Sequence, residues 1–273
     1  MIRFQNVDFS IDGHAILRDV SFSVAPGKTT VILGPSGSGK STVLRLLLGL
    51  YRPDAGRIFV DGIDVTGIAE SRWREIRSRM GMVFQQGALF DSMTVGENVG
   101  YALLEGAGDD EVAVEPAVRH YLELVGLDPY LIDRMPDQLS GGMQRRVAIA
   151  RALAARDPMI LLYDEPTTGL DPQSAERITD LIVQLRDQEH KTAIMVTHDI
   201  PDAFKVADEI TILEQGRVVF QGAPDALITA STPFINSFLA PFRAAMGAAS
   251  RRFATATHSA PPASRDPQQG GTP

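Results

Sequence analysis

The sequence predicts an α/β fold: a mostly parallel core sheet, an antiparallel β subdomain at the start and a helical subdomain inserted further on. Three observations predict it. Strand-like apolar runs alternate with helical patterns along most of the chain, the order that builds a parallel sheet. One such run, residues 30–33, leads into Gly34-Pro35-Ser36-Gly37-Ser38-Gly39-Lys40-Ser41 and then an almost wholly apolar segment, 42–50, which reads as strand, loop and buried helix. A further run, 159–163, is uninterrupted and apolar, as in a strand covered on both faces, and 192–197 reads as another buried strand.

Taken in order, residues 2–11 and 15–24 read as two strands joined at Asp12-Gly13, a small antiparallel sheet. Pro26-Gly27 turns the chain into the strand before the glycine-rich loop. A short strand, 57–60, closes at Asp61-Gly62; a helix follows over 70–80, and an apolar run, 81–84, is broken by Gln85-Gln86-Gly87. From 94 to 127 the pattern is helical, interrupted by the acidic, glycine-rich stretch 105–111. Residues 137–155 form the next helix, with Ser140 as a cap and Met143, Val147, Ala150 and Ala154 on one face. Helices over 175–189 and 201–207 flank the strand 192–197, and a hairpin, 209–213 with 217–220, turns at Gln215-Gly216. The composition changes beyond Pro241, and residues 254–273 lack aliphatics larger than Ala, so that tail is expected to be disordered.

The loop Gly34–Ser41 fits G-x-x-x-x-G-K-[ST] and sits where a parallel sheet presents its ligands. Glycines let successive N–H groups face one anion, and the helix that follows adds positive potential there. A nucleotide triphosphate fits, with Lys40 on its β- and γ-phosphates and the Ser41 hydroxyl on Mg²⁺. The run 159–163 ends in Asp164-Glu165, a pair suited to holding Mg²⁺ and polarising a water, or simply to ending a strand in solvent. His198 ends the next buried strand and could donate to a γ-phosphate. Leu139-Ser140-Gly141-Gly142-Met143 is either a second anion-binding helix start, without a lysine, or an ordinary cap.

Composition narrows the function classes. The 273 residues carry a formal net charge of −8, which offers no basic field to nucleic acid. With no cysteine, thiol catalysis and disulfides are excluded and a reducing compartment is compatible. The opening residues alternate like a strand rather than a signal peptide, and no run approaches the roughly 20 apolar residues of a membrane span. A membrane role is therefore expected to pass through a partner.

In their order, Gly34–Ser41, Gln85, Leu139–Met143, Tyr163-Asp164-Glu165, Gly169-Leu170-Asp171 and His198 resemble the Walker A, Q-loop, signature, Walker B, D-loop and switch histidine of ABC transporter ATPases. The resemblance covers residues 1–240 as one P-loop NTPase domain of the ABC-ATPase fold, with a helical subdomain at about 88–157 and a C-terminal extension, 241–273. It implies ATP and Mg²⁺ as cofactors and a head-to-tail homodimer with ATP at the interface. Gly34, Ser36, Gly37, Ser38, Gly39, Lys40, Ser41 and Thr42 would bind one ATP, with Ser140, Gly141, Gly142 and Met143 of the other copy above it. Glu165 would be the catalytic base, His198 the γ-phosphate sensor, Ser41, Gln85 and Asp164 the Mg²⁺ and water ligands, and Asp171 a signal across the dimer. Two positions depart from the pattern: Ile11 stands where an aromatic usually stacks on adenine, with Phe9 two residues away, and Met143 stands where the signature has Gln, with Gln144 next.

The run Gly87–Val95, together with Leu-Ser-Gly-Gly-Met, is similar to the Mla/Mce branch that moves phospholipids and other hydrophobic compounds. That resemblance implies integral-membrane permease subunits, a periplasmic MCE-domain protein and a small accessory protein as partners, at the cytoplasmic face of an inner membrane. The alternative cargo is a small solute such as an amino acid or metal ion. An ABC-type ATPase acting on nucleic acid or ribosomes is disfavoured by the charge, by the single motif set and by the absence of long heptads between Lys40 and Asp164. Phe234, Phe238, Leu239 and Phe242 recur at helical spacing ahead of the tail and would dock on the dimer mate or an accessory protein, or pack on their own domain.

Overall fold

A computed structural model describes residues 1–107, 111–155 and 157–256. The expected disorder of 254–273 falls mostly outside the described residues. By compactness the chain divides into two units, Met1–Thr229 and Ala230 onward.

The first unit opens with β1 (Ile2–Ile11) and β2 (His14–Val24), antiparallel across the Asp12-Gly13 turn. With β4 (Ala55–Val60) and β5 (Ile63–Asp64) they form a sheet in the order β2-β1-β4-β5. Alternate residues of β1 and β2, among them Ile2, Phe4, Val20 and Phe22, turn inward to one apolar core, as period-2 patterning requires.

The second sheet has the order β10-β9-β3-β8-β7-β6. Its strands are β3 (Thr29–Leu33), β6 (Met80–Val83), β7 (Ile160–Asp164), β8 (Thr192–Thr197), β9 (Glu209–Glu214) and β10 (Arg217–Gly222). All pairs are parallel except the hairpin β9–β10. Strands β3 and β8 are buried along their whole length, which accounts for their apolar stretches, Val31 to Leu33 and Ala193 to Val196. Register decides where the site lies. Leu33 pairs Thr197, Asp164 pairs Val196 and Val83 pairs Tyr163, so four strands end at one edge.

Helix α1 (Lys40–Leu47) follows the glycine-rich loop. It stops short of the expected residue 50 because Gly49 turns the chain at φ +66°, where a Cβ would lie 2.3 Å from the Trp73 ring. Helix α2 (Glu70–Arg77) presents Trp73 and Ile76 to the core. Helices α3 (Val95–Ala107), α4 (Glu111–Leu124) and α5 (Gly141–Ala154) form the helical insert, packed on one another. Helix α5 begins later than expected, since Pro136–Gln138 makes a 3₁₀ turn and Leu139 is extended; Ser140 then caps, its Oγ accepting from Met143 N at 3.3 Å. Helix α6 (Pro172–Glu189) begins earlier than expected, because the Asp171 side chain caps at Ser174 N and Pro172 suits the first turn. Helices α7 (Ile200–Val206) and α8 (Pro224–Thr229) complete the unit.

Asn98 on α3 is fully buried and holds the loop before it: its Oδ1 accepts from Phe90 N, and its Nδ2 donates to the carbonyls of Phe90, Met93 and Thr94. Asn98→Ala strands these groups and should cost about 2–3 kcal/mol. An unchanged midpoint in urea unfolding would contradict that assignment.

In the second unit α9 (Pro233–Ala256) runs through Pro241. Phe234 and Phe238 stack at 5.5 Å, and Arg243 donates to Asn236 Oδ1 and the Ala230 carbonyl, each at 2.8 Å.

Candidate functional site

The phosphate loop is held from behind by the two sheets. Gly39 takes φ +103°, and a Cβ there would meet the Leu17 side chain at 2.7 Å, so β2 presses directly on the loop. The β9–β10 turn also reaches it: Gly216 N donates to Ser38 O at 3.2 Å and Gly216 O accepts from Arg18 N at 2.8 Å. Sequence reasoning saw Gly216 only as a turn residue; nothing local distinguishes it from any other hairpin glycine.

Lys40 is only 6% exposed. Its Nζ donates to the carbonyls of Gly34 at 2.9 Å and Pro35 at 3.1 Å, and lies 3.6 Å from Glu165 Oε1. Burial lowers the Lys40 pKa, and the Glu165 carboxylate opposes the shift. The ammonium is thus stored inside the loop it is expected to serve. Ser38 Oγ is buried without a hydrogen-bond partner, an orphan that a phosphate oxygen would satisfy. Lys40, Ser41 and Thr42 occupy the first turn of α1, where helical N–H groups lack partners of their own. Ser36 and Gly37 are exposed at the tip of the loop.

Beside the loop, Ser41 Oγ donates to Asp164 Oδ1 at 2.8 Å. Burial raises the Asp164 pKa, with the Ser41 bond working against it. A hydroxyl and a carboxylate side by side are hard oxygen donors that fit Mg²⁺, which keeps most of its shell as water and phosphate. Gln85 is exposed two residues past β6, at the same sheet edge.

Glu165 is the centre of the arrangement. Its backbone is left-handed, φ +48°, a strained conformation for a glutamate that the surrounding bonds must enforce. Its N–H donates to Val196 O at 2.9 Å, fixing it against β8. While Oε1 faces Lys40, Oε2 accepts from Thr168 Oγ1 at 3.1 Å and Thr197 Oγ1 at 3.4 Å, and lies 2.8 Å from His198 Nδ1. A carboxylate partner places the imidazole proton on Nδ1. The His198 side chain is 52% exposed and borders a cleft of about 550 Å³ shared with Thr168, Leu170 and Asp202. The two threonines escaped the sequence reading; Thr197, as the last residue of a buried strand next to His198, carried the better signal.

The signature segment is not brought to this loop. Among the described residues, Ser140–Met143 make no hydrogen bond with it; they open α5, which packs on α3, α4, α6 and β6. Gln144 does not stand in for the glutamine missing at 143, because its Nε2 donates inward to Pro136 O at 2.7 Å. Asp171 spends its side chain on the α6 cap, and the Ser174 hydrogen bonds hold its pKa below the usual carboxylate value. Ile11 lies at the end of β1, 38% exposed and paired with His14. Phe9 is buried and stacks on Tyr51 at 5.1 Å, so its ring is committed to the core.

The family model for the ABC transporter matches residues 17–168. The chain belongs to the ABC transporter family. It is 43% identical to the Fe(3+) ions import ATP-binding protein FbpC 2 of Rhodococcus jostii, over 85% of this chain and 64% of that one. It is 38% identical to the intermembrane phospholipid transport system ATP-binding protein MlaF of Escherichia coli, over 88% of each. The chain thus spans about two thirds of the length of the import ATPases it matches. A dimeric ATP-binding cassette in a post-hydrolysis state with ADP and Pi superposes with a TM-score of 0.72 at 33% identity, over 82% of this chain and 98% of that one. ABC cassettes bind ATP with Mg²⁺ and hydrolyse it, and this cassette has the parts for both steps.

Proposed function

We propose that the chain is the ATP-hydrolysing subunit of a phospholipid transporter, working as a head-to-tail homodimer on a membrane permease. The carrying observation for hydrolysis is Glu165, whose backbone is left-handed and whose carboxylate is engaged on both oxygens within reach of the phosphate loop. Bound phosphates draw Lys40 from the Gly34 and Pro35 carbonyls, and the N–H groups opening α1 and the Ser38 hydroxyl face them. Losing Lys40 frees Glu165 Oε1 to accept the proton of a water as its oxygen attacks the γ-phosphorus in line, the bond to ADP breaking. His198 is poised to exchange its Glu165 partner for a γ-phosphate oxygen. Mg²⁺ on Ser41, Asp164 and Gln85 would neutralise phosphate charge. Ser140 to Met143 of a second copy, at the N-terminus of its α5, would close the site, and Asp171 would carry the signal between copies.

For the permease, the support is an exposed aromatic pair that includes the segment following Gln85. Phe90 and Tyr101 are each 43% exposed and pack ring to ring at 5.1 Å, with Asn98 fixing the loop beneath. Exposed paired aromatics of this kind anchor interfaces. Among the described residues no helix is long and apolar enough to cross a membrane, so the permease would supply the span and this chain would sit at the cytoplasmic face of an inner membrane. The lipid cargo and an MCE-domain partner rest on the run 87–95 and on the similarity to the phospholipid-transport ATPase across 88% of each chain. The second reading, import of a small solute, is favoured by the 43% identity to an iron-import ATPase.

Isolation of the complex in detergent separates the two. The lipid reading expects a permease, an MCE-domain protein and bound phospholipid, with ATPase activity raised by phospholipid. A complex whose activity answers only to a metal ion or amino acid would contradict it.

A further inference from the structure

Arg145 lies two residues past Met143 on α5 and is 5% exposed. Its guanidinium donates to two backbone carbonyls, Phe84 O at 2.7 Å and Thr168 O at 3.4 Å, across 61 and 23 residues of sequence. Burial depresses its pKa, and carbonyls compensate a buried cation less well than a carboxylate would. The two acceptors are not arbitrary. Phe84 precedes Gln85, and Thr168 is the residue whose hydroxyl holds Glu165 Oε2. The guanidinium reaches the two through separate nitrogens, Nη1 and Nη2, a rigid fork that an ammonium lacks.

Neighbouring contacts stiffen the same three segments. A Cβ on Gly142 would lie 2.8 Å from Ser174 Oγ, and Ser174 N is bonded to Asp171, so the start of α5 is seated on the start of α6. A Cβ on Gly87 would lie 3.6 Å from Gln144 O and Ala148 Cβ, and Arg151 donates to Gly87 O and Ala88 O. Residues 84–88, 165–171 and the first turn of α5 are therefore joined side by side.

We infer that Arg145 is a positioning residue that transmits the seating of one ATP under Ser140–Gly142 to the Glu165 of the same chain, through Thr168, and to Gln85, through Phe84. The inference rests on the reading above, in which those signature residues face the nucleotide of a second copy. Each chain then senses its partner's ATP before its own base is set, which makes the two sites interdependent.

The full-length chain carries the test. Arg145→Lys keeps a cation but not the fork; it should lower kcat about tenfold and move KM for ATP less than about threefold, within the usual range of coupling between sites. A packing role alone would lower the unfolding midpoint and leave the kcat of the folded fraction intact. Hydrogen exchange of Glu165→Gln, with Arg145 in place, gives a second measurement independent of how the lysine variant folds. On adding ATP, residues 84–88 and 166–170 should slow together with 140–145. Protection at 140–145 with no change in the other two segments, or a wild-type kcat in Arg145→Lys, overturns the inference alone. A Glu165→Gln chain that stays single with ATP overturns the functional reading, and this inference with it.

Discussion

Glu165→Gln should bind ATP at least as tightly as the parent chain and hydrolyse it about 10²- to 10⁴-fold more slowly, the range a positioned general base contributes. The substitution is nearly isosteric, and the amide oxygen can still accept from Thr168, Thr197 and His198. What is lost is the capacity to take a proton. The variant also removes the negative partner of Lys40, 3.6 Å away, which makes the ammonium easier for phosphate to draw out. Single-turnover hydrolysis and equilibrium binding of ATP separate the two effects. A kcat within a few-fold of the parent would remove Glu165 from the chemistry.

Lys40→Ala should fail one step earlier, with ATP affinity reduced about 10- to 100-fold, the worth of one charge-assisted hydrogen bond. In the structure Lys40 is folded into the loop by its bonds to Gly34 O and Pro35 O. Its removal leaves two carbonyls facing the space meant for an anion, and their repulsion adds to the loss. Binding isotherms of the two variants, measured together, check the division of roles. Equal loss of affinity in both would contradict it.

Much of this was legible in the sequence because the motifs are local. The phosphate loop, the acid pair after an apolar strand and the histidine after the next one each announce themselves within a few residues, and parallel register then carries them to one edge. What escaped is non-local. Thr168 and Thr197 matter only because the left-handed backbone at Glu165 turns the carboxylate toward them. Arg145 reads as one more arginine on a helix until Phe84 and Thr168 arrive beside it from distant segments. Helix limits shifted for local reasons that propensity alone understates, Gly49 against Trp73 and the caps at Ser140 and Asp171. Ile11 is exposed at the end of β1, while Phe9, two residues away, is already committed to Tyr51.

If Gly34–Ser41 is half a site, completed by Ser140–Gly142 of a second copy, ATP joins the subunits. The measurement that tests it most directly is the mass of Glu165→Gln in solution by light scattering, with and without ATP. The mass should be twice the 29.6 kDa of one chain when ATP is present and that of a single chain when it is removed. A mass of one chain at saturating ATP, or a dimer indifferent to ATP, would contradict it.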